Sequence, residues 1–514
     1  MKQKILLISL VLFAGSLFAE QTVYYVSSTG DDMLNTGLSP ESPFLSIKKV
    51  FDVEATTTST DILINVVSGT YPTSVITPNL KRSVKVTLAG QSAATVNIQN
   101  TGEFLNAKTD NFRFIQLQPA DNAGLELNIR DVTFQNYGGT INNYAGAIIM
   151  MNGSGEGIKV SFSRCVFRNN VAARAAILQS SNTSYDVSFD GCYFENCKSF
   201  DFGTNATNLE AIIYVTGGKI AIKNCIFNNN TKDPLFGTTD RDLKKGSLIT
   251  INPIVGKITA VLVNNTFVNN KVPNGKDEAI SIQPAVTIAD LSSPKKAFGV
   301  DLTMLNNLFV DNKRTGFEKD VDLYIDPVDV TQVAVTNNVF NKIATPDQSE
   351  VISILTNKVS TAYAVASAEI AFEMEGELPK IQLADNGVLY VSAKGTEVVG
   401  KGIANSDNSE VPVIDIRNIT RKTTPDIGAT DVLVSSVKTT SQIDGFKIFV
   451  NDGVLNVINQ NQTDYIVRIT DLTGRIIYAS SIKSQNFNKK IDLRGIGFVS
   501  IQDTQSIYTQ KIIF

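Results

Sequence analysis

Histidine and tryptophan are absent from this 514-residue sequence, and cysteine occurs only four times. The absence of histidine excludes Ser-His-Asp and Cys-His catalysis, together with every metal site that depends on an imidazole ligand. The net charge is only −4, so neither a nucleic acid nor an anionic membrane is expected as a partner. Helix signals are few, and Val, Ile, Thr, Asn and Gly dominate, which points to an all-β protein.

The amino terminus has the features of a secretory signal. A basic opening, residues 1–4, precedes an apolar run over residues 5–18 that is too short to span a bilayer. We predict cleavage after Ala19, so that residues 1–19 form the signal peptide and the mature chain has no transmembrane segment. The mature protein is therefore expected to be secreted or held at the cell surface.

A short sequence motif that ends in phenylalanine recurs seven times in the middle of the chain. The slots seven and five residues before each phenylalanine are apolar in every copy, and this period-two spacing predicts a strand with one buried face. A motif that repeats at intervals of tens of residues, with the same type of residue at each position, is typical of a solenoid. The seven phenylalanines are Phe134, Phe167, Phe194, Phe227, Phe267, Phe309 and Phe340.

A bend is predicted inside every copy. Two residues, rather than one, separate the inward slot five before the phenylalanine from the next inward slot. The extra position, three before the phenylalanine, holds Asp, Asn or Gly in six of the seven copies, and these types accept a left-handed backbone most cheaply. Its occupants are Asp131, Arg164, Gly191, Asn224, Asn264, Asn306 and Asn337.

A third strand-like run lies upstream of several copies, for example at residues 147–149 and 211–213. Three short strands per turn, recurring every 27 to 42 residues, predict a right-handed parallel β-helix whose loops vary in length outside a constant cross-section. An amphipathic stretch over residues 46–53 predicts a helix that caps the open end of this solenoid.

The slot two before the phenylalanine predicts a ladder within the core. It holds Val132, then three cysteines, then three asparagines, and stacked asparagines satisfy their amides by hydrogen bonding along the axis. The cysteines are interpreted as reduced core thiols, with a Cys192–Cys197 bridge as the alternative. The slot eight before the phenylalanine alternates in charge and predicts cross-strand stabilisation, in the order Glu126, Lys159, Asp186, Lys219.

The chain resembles extracellular right-handed β-helix proteins of the pectate-lyase-like superfamily. The resemblance rests on Tyr24-Tyr25-Val26-Ser27, on Gly37-Leu38-Ser39-Pro40, on Gly69-Thr70-Tyr71 and on the terminal Pro425-Asp426-Ile427-Gly428-Ala429. It implies that residues 20–430 form one β-helix with an N-terminal cap. It does not imply one activity, because this fold carries lyases, hydrolases, adhesins and inert spikes.

The last part of the chain changes to short alternating strands with turn signals between them, which predicts a small β-sandwich over residues 437–514. This part resembles the C-terminal sorting domain of the type IX secretion system, through Asp471-Leu472-Thr473-Gly474-Arg475 and Gly497-Phe498-Val499. The resemblance implies that the type IX secretion machinery is a partner and that the protein is exported across a bacterial outer membrane.

One acidic stretch could carry chemistry. On a strand, Asp320, Asp322 and Asp326 would share one face, and carboxylates at that spacing can bind Ca²⁺. Lys313 or Arg314, close in sequence, could then abstract a proton from a uronate. The exposed face of an ordinary strand has the same pattern. A second charged cluster, at residues 240–245, is interpreted as a loop whose positive and negative side chains neutralise one another.

These observations favour a binding or structural role, such as adhesion or glycan contact, over catalysis. The third runs offer Ile149, Leu178, Ile213 and Ile249 where a lyase groove would carry charged residues, and neither of the two possible registers supplies a Lys/Asp array. Without tryptophan, sugar stacking would depend on tyrosines. The tyrosines considered are Tyr137, Tyr144, Tyr185 and Tyr214. The alternative function is a calcium-dependent lyase of uronate polymers.

Overall fold

The computed structural model describes most of the chain from residue 21 onward, so the predicted signal peptide lies outside the described residues. The residues described are 21–73, 75–100, 113–138, 147–153, 157–172, 175–200, 211–233, 247–273, 285–292, 294–310, 312–315, 323–325, 330–338, 343–344, 371–373, 380–383, 386–389, 392–394, 400, 402–416, 419–431, 446–451, 454–459, 464–471, 476–483, 486–490, 496–502 and 507–513. Two compact units divide the chain, Met1–Val432 and Leu433–Phe514.

Four parallel sheets of ten, eight, five and eight strands build the first unit. Each strand pairs with the equivalent strand of the coil before and of the coil after, so every coil contacts only its neighbours. This is the parallel β-helix that the repeat predicts. The sequence predicts three strands per coil, whereas the middle coils have four. The additional strands, which form the third sheet, were not predicted because they are as short as Val171–Ala172 and too short to show a periodicity.

Within each sheet the strands follow one another in chain order along the solenoid axis. The first sheet contains Thr22–Val26, Asp61–Val66, Val84–Gly90, Leu125–Arg130, Ile158–Ser163, Tyr185–Asp190, Gly218–Lys223, Ile258–Val263, Val300–Leu305 and Val330–Thr336. The second sheet contains Gly69–Pro72, Val96–Gln99, Thr133–Gln135, Val166–Arg168, Tyr193–Glu195, Ile226–Asn228, Thr266–Val268 and Leu308–Val310. The third sheet contains Val171–Ala172, Lys198–Phe200, Thr231–Asp233, Lys271–Pro273 and Lys313–Thr315. The fourth sheet contains Ile115–Leu117, Ile149–Met151, Ala175–Ser180, Ala211–Val215, Ile249–Ile251, Val286–Ile288, Leu323–Ile325 and Ile343–Ala344.

The predicted capping helix forms at Ile47–Glu54, and a second short helix lies at Pro119–Asn122. Ser46 caps the first helix by accepting a hydrogen bond from the backbone N–H of Lys49. The carboxylate of Glu54 is buried and accepts hydrogen bonds from the hydroxyl of Tyr24 and from Nη2 of Arg82, both at 2.7 Å. These bonds join the cap to the first coils.

The strand register confirms the repeat slot by slot. The residues seven and five positions before each phenylalanine are paired with their equivalents in the next coil along the first sheet. The predicted alternation of charge in the outward slot is confirmed from Glu126 to Lys219. Five successive phenylalanine pairs from Phe134 to Phe309 stack with ring centroids 4.3 to 5.5 Å apart. Phe340 lies outside the described residues.

The predicted bend is confirmed in all seven copies. The residue three before each phenylalanine has a positive φ between 52° and 61°, including Arg164. A second bend of the same kind, which joins the second sheet to the third, follows two residues after the phenylalanine, where φ lies between 52° and 58°. Its residues are Asn136, Asn169, Asn196, Asn229 and Asn269.

The predicted amide ladder is confirmed at the first bend. Nδ2 of Asn265 donates to the carbonyl of Ile222 at 2.7 Å and to Oδ1 of Asn307 at 2.9 Å. Nδ2 of Asn307 continues the ladder to Oδ1 of Asn338 at 2.8 Å. Each buried amide is therefore satisfied by the neighbouring coil.

The second bend carries another amide ladder, which the sequence analysis missed. Nδ2 of Asn230 donates to Oδ1 of Asn270 at 3.1 Å, and Nδ2 of Asn270 donates to Oδ1 of Asn312 at 2.8 Å. The signal is visible in the sequence, because an asparagine occupies the third position after the phenylalanine in four copies. Both bends thus combine one left-handed residue with one inward ladder residue.

All four cysteines are buried free thiols, so the predicted core thiols are present and the alternative Cys192–Cys197 bridge is wrong. The two thiols point to different backbone groups, because Sγ of Cys192 donates to the carbonyl of Phe162 and Sγ of Cys197 to that of Phe167. They lie at the first and second bends respectively. Burial raises the pKa of Cys197 to about 12.

A C-terminal strap, residues 402–416 and 419–431, packs against the outside of the first bend. Nδ2 of Asn264 donates to the carbonyl of Gly428 at 3.1 Å, and Nδ2 of Asn306 donates to the carbonyl of Ile403 at 2.9 Å. Ile416 and Ala429 of the strap lie in one buried cluster with residues of the second sheet. The strap therefore covers the outside of the second sheet.

The second unit is a small antiparallel β-sandwich. One sheet contains Phe446–Asn451, Val454–Asn459 and Phe487–Lys490. The other contains Tyr465–Asp471, Ile476–Ile482, Ile496–Gln502 and Ile507–Ile513. Ten buried apolar residues, among them Phe446, Tyr465 and Val499, form its core.

The described strands within residues 371–394, beyond the last copy of the repeat, form antiparallel pairs. Ala371–Glu373 pairs with Ser392–Lys394, and Lys380–Leu383 pairs with Asn386–Leu389. Strand pairing within the described part of this stretch is therefore local, unlike that of the coils.

Candidate ligand-binding face

In the middle coils, length variation is confined to the two connections that flank the fourth sheet. The connections from the first to the second sheet and from the second to the third are two residues long in the middle coils, as at residues 164–165 and 169–170. The connection into the fourth sheet ranges from residues 173–174 to residues 234–248, and the one out of it from residues 216–217 to residues 289–299. The outer face of the fourth sheet therefore lies between the two variable corners.

The structure resolves the register that the sequence leaves open. Ile149, Leu178, Ile213 and Ile249 pair with one another and lie in the main core. The intervening residues therefore stand on the outer face, because successive side chains of a strand point to opposite sides. The aliphatic residues considered as groove residues are core residues.

A single column of uncharged residues runs along the outer face of the fourth sheet, and we call it the fourth-sheet column. Its members are paired in parallel register from coil to coil, so they stack along the solenoid axis. The column consists of Gln116, Met150, Gln179, Tyr214, Thr250, Thr287, Tyr324 and Ala344. Tyr214, Thr250 and Thr287 are buried, whereas Gln116, Met150 and Gln179 are half-buried, so the column is partly open only over its first three members.

Unsatisfied polar atoms concentrate at the fourth sheet. Asn152 Oδ1, Gln179 Oε1, Ser180 Oγ and Thr287 Oγ1 are each buried without a hydrogen-bond partner among the described residues. Gln179 and Thr287 belong to the column, and Asn152 comes two residues after the column residue Met150. Buried polar groups are paired in the great majority of cases, and leaving one unpaired costs about 1 to 3 kcal/mol.

The connection over residues 289–299 is the longest between the fourth and first sheets, and Asp290 organises it. The buried carboxylate of Asp290 accepts hydrogen bonds from the backbone N–H groups of Ser292, Lys296 and Ala297. Burial acts to raise the pKa of Asp290, but these hydrogen bonds outweigh it and lower the pKa. The loop packs against the fourth sheet, because Leu291 lies against the buried cluster of Ala175, Ala211 and Tyr214.

The third sheet, on the other side of the first variable corner, is basic. Lys198, Thr231, Lys271 and Lys313 occupy one register along its strands, and Lys198 and Lys271 are exposed. Adjacent like charges on neighbouring strands are mildly destabilising, in contrast to the alternating signs of the first sheet. The two faces that flank this corner thus differ in charge, one basic and one neutral.

A small polar cleft lies where the strap crosses the first bend. It has a volume of about 40 Å³ and is lined by Ser163, Arg164, Asp190, Gly191, Asn224 and residues 414–416. Part of the Asp190 side chain reaches solvent, but loss of solvation within the cleft raises the pKa of its carboxyl. A cleft of this volume holds about one water molecule and has no room for a sugar ring.

The acidic stretch predicted as a calcium site is not covered by the described residues. Asp320, Asp322 and Asp326 all lie outside them, whereas Leu323 and Ile325, between these positions, form a strand of the fourth sheet and are buried as the pattern predicts. Within the described residues no group of three or more Cys, Asp or Glu side chains is arranged to hold a metal ion. The calcium site remains a prediction, and the charged cluster at residues 240–245 also lies outside the described residues.

Two of the four tyrosines considered for sugar stacking are excluded. Tyr137 and Tyr185 are fully buried in the core, while Tyr144 lies outside the described residues. Tyr214 is in the fourth-sheet column, where its hydroxyl accepts a hydrogen bond from Nδ2 of Asn252 at 3.1 Å. Tyr214 is itself only 9% exposed, so little of its ring is open to a ligand.

The sequence matches no protein-family model and no curated protein. Three solved structures are similar at a TM-score of 0.21 each. A pectin methylesterase from Aspergillus niger is 13% identical, with 58% of this chain and 87% of that chain covered. The PL6 family alginate lyase AlyGC is 11% identical, with 81% and 58% covered. The tailspike protein gp49 of Acinetobacter baumannii bacteriophage Fri1, a capsular polysaccharide depolymerase, is 10% identical, with 95% and 79% covered.

The β-helix assignment rests on the strand pairing of this chain itself rather than on these superpositions. No helix among the described residues is long and apolar enough to span a membrane.

Proposed function

We propose that this protein is a secreted or cell-surface β-helix that binds other molecules, through adhesion or contact with glycans, and that type IX secretion exports it. The observation that carries the proposal is that, in the middle coils, length variation is confined to the two corners beside the fourth sheet. A rigid scaffold that displays variable loops on one side is a common arrangement for recognition. Stacked coils extend that side along the axis, which suits an elongated ligand.

Two of the other three sides of the solenoid, the first and second sheets, are occupied by structural interactions. Alternating charges cover the first sheet, and the strap lies over part of the second. The fourth sheet and its corners are therefore the region best suited to binding.

Affinity electrophoresis of the full chain tests the binding role. The gels would contain neutral polysaccharides (a β-glucan, a mannan and a galactan) or acidic ones (polygalacturonate and alginate). We expect at least one polysaccharide to retard the protein relative to a gel without polysaccharide. Unchanged mobility in all five gels would contradict glycan contact.

The alternative function, a calcium-dependent lyase of uronate polymers, is favoured by one observation. The basic register of the third sheet ends at Lys313, one strand before the segment that contains Asp320 and Asp322. In such a lyase, carboxylates would hold Ca²⁺ and a basic residue would abstract the proton α to the uronate carboxyl. Ultraviolet absorbance of unsaturated products, rising with Ca²⁺ and abolished by Asp322→Ala, would establish this activity, and a flat trace on both uronate polymers would exclude it.

Export through the type IX system is a separate part of the proposal. Its support is the resemblance of residues 437–514 to a sorting domain, together with a sandwich that has its own core. In a bacterium that possesses this system, deletion of residues 437–514 should leave the protein inside the cell, as fractionation would show. Thr303→Val, a change on the outward side of the first sheet, should still be exported. Equal export of the deletion variant would contradict this route.

A further inference from the structure

We propose that the outward face of the first sheet is an interface between two copies of this chain, which pack face to face with their solenoid axes antiparallel. The interface is centred on a column of six alternating charges, which we call the first-sheet charge column. Its members occupy one unbroken register along the sheet, in the order Asp61, Lys85, Glu126, Lys159, Asp186 and Lys219. The inference goes beyond the proposed function, because it assigns a protein partner to a different side of the solenoid.

The six charges of this column form no ion pair, with one another or with any other residue, in the described part of the chain. The three lysines are exposed and the three carboxylates are half-buried. Asp61 accepts a hydrogen bond from the neutral amide of Gln21 at 3.0 Å. Asp301 lies further along the same register and is different, because it forms an ion pair with Lys257 at 2.8 Å. The alternating run therefore retains charges that a second copy can neutralise.

The alternation of sign makes this column complementary to itself in one arrangement. When two faces pack about a twofold axis parallel to the strands, the second copy presents its strands in reversed order. With that axis midway between Glu126 and Lys159, each of the six charges faces an opposite charge, and Asp61 at one end faces Lys219 at the other. A displacement by one strand, or a twofold axis along the solenoid, brings like charges together, which is strongly unfavourable across an interface. The order of the charges thus selects both the direction and the register of packing.

The register beside the charge column allows the two faces to approach closely. Its side chains are short and half-buried over the same coils. They are Thr87, Asn128, Ser161, Ser188 and Ala221. In the antiparallel arrangement this register faces its own equivalent in the second copy, so no long side chain separates the sheets there.

The strap does not obstruct antiparallel packing. Its described contacts with the first sheet begin at Ser163, in the polar cleft, include the ion pair of Glu410 with Lys223 at 2.7 Å, and continue to Leu305. These residues belong to the fifth to ninth strands of the sheet. Reversal of the strand order places them opposite the first four strands of the second copy or beyond them, where the described strap makes no contact with the sheet.

Cross-linking of the natural full chain distinguishes this arrangement from contacts within one copy. A water-soluble carbodiimide joins a carboxylate directly to an amine that touches it. Asp61 and Lys219 lie five strands apart in one chain, about 24 Å at the usual strand spacing, yet they face each other between antiparallel copies. We therefore expect mass spectrometry of a cross-linked dimer to find a bond between Asp61 and Lys219. A dimer without this bond, or a chain that stays monomeric, would overturn the proposal.

Two charge reversals test the register, because the proposal predicts that each restores the other. Glu126→Lys and Lys159→Glu each place like charges opposite each other at both central positions of the interface. We expect each variant alone to raise the dimer dissociation constant at least about tenfold in sedimentation velocity. In an equimolar mixture the two variants are complementary, so a mixed dimer about as stable as the natural one should form. Lys198→Glu, the same change as Lys159→Glu but on the third sheet, should dimerise as the natural chain does.

The possible outcomes separate the interface from its register. Unchanged dimerisation of both reversal variants would overturn the assignment of the interface to the first sheet. Loss of the dimer in both variants without recovery in the mixture would overturn the antiparallel register. Thermal unfolding midpoints would show whether each variant is folded, and the cross-link, which needs no variant, decides the proposal if one is not.

Discussion

Nη2 of Arg421 donates a hydrogen bond of 2.7 Å to Oδ1 of Asn224, although 197 residues separate them in sequence. Asn224 is also the left-handed residue of the first bend in its coil. Asn224, Asn264 and Asn306 therefore have two roles, because their backbone turns the chain and their side chains hold the strap. The earlier coils, which carry Asp131, Arg164 and Gly191 at the same slot, form an ion pair between the first two of these residues instead.

Arg421→Ala should destabilise the β-helix strongly. The guanidinium is buried and pairs with Asp431 at 2.6 Å, so its removal leaves a buried carboxylate without its counter-ion. Breaking one side of a buried pair costs about 3 to 5 kcal/mol, and chemical denaturation followed by circular dichroism would measure it. Lys48→Ala, which breaks the exposed Lys48–Asp52 pair, should cost about 0.5 kcal/mol or less. An equal effect of the two changes would contradict the role assigned to Arg421.

Asn265→Leu should break the first amide ladder. The change removes the partners of the Cys225 backbone N–H, at 2.9 Å, and of the Ile222 carbonyl, at 2.7 Å. Since each buried group left unpaired costs about 1 to 3 kcal/mol, we expect a loss of about 3 kcal/mol in the same denaturation experiment. Thr303→Val, on the outward side of the first sheet, should change stability by about 0.5 kcal/mol or less. A loss for Asn265→Leu no larger than that would show that the ladder is energetically neutral.

Asp190→Asn should stabilise the protein at neutral pH but not in acid. Loss of solvation within the cleft raises the pKa of the Asp190 carboxyl although part of the side chain reaches solvent, and the hydrogen bond from Asn224 together with nearby cations offsets this shift only in part. Because the folded-state pKa lies above the unfolded value, the contribution of Asp190 to stability is complete below the unfolded pKa and is lost as pH rises through the folded pKa. The amide cannot ionise and avoids that loss. Thermal unfolding midpoints at pH 7 and pH 3 would show a gain at pH 7 only, and a gain of the same size at both would refute the assignment.

The cysteine thiols should be inert in the folded protein. All four are buried, and burial raises the pKa of Cys165 and Cys192 well above the ordinary range. The thiolate is the reactive form, so a colorimetric thiol reagent should detect none of the four in the native protein and all four in guanidinium. Mass spectrometry that found a bond between Cys192 and Cys197 would contradict the structure.

The structure of each coil could be predicted from the repeat because the residues that determine it are close together in sequence. A left-handed residue such as Asn264 and an inward residue such as Asn265 follow each other in sequence, so the bend and the ladder can be inferred from neighbouring positions. The period-two pattern then fixes which residues of the first sheet face the core. The third sheet was missed because two or three residues are too few to show a period.

The sequence by itself determined the scaffold of this protein: the solenoid, its register at the phenylalanines and its first bend, all of which depend on residues close together in the chain. Only the tertiary structure decided which face of the fourth sheet turns outward, because a shift of one residue exchanges the two faces of a strand. It also decided that the strap reaches back to Asn224 and that Asn152, Gln179 and Thr287 remain unsatisfied beside the fourth sheet. Those relationships join residues that lie far apart in the chain and meet only when the coils stack.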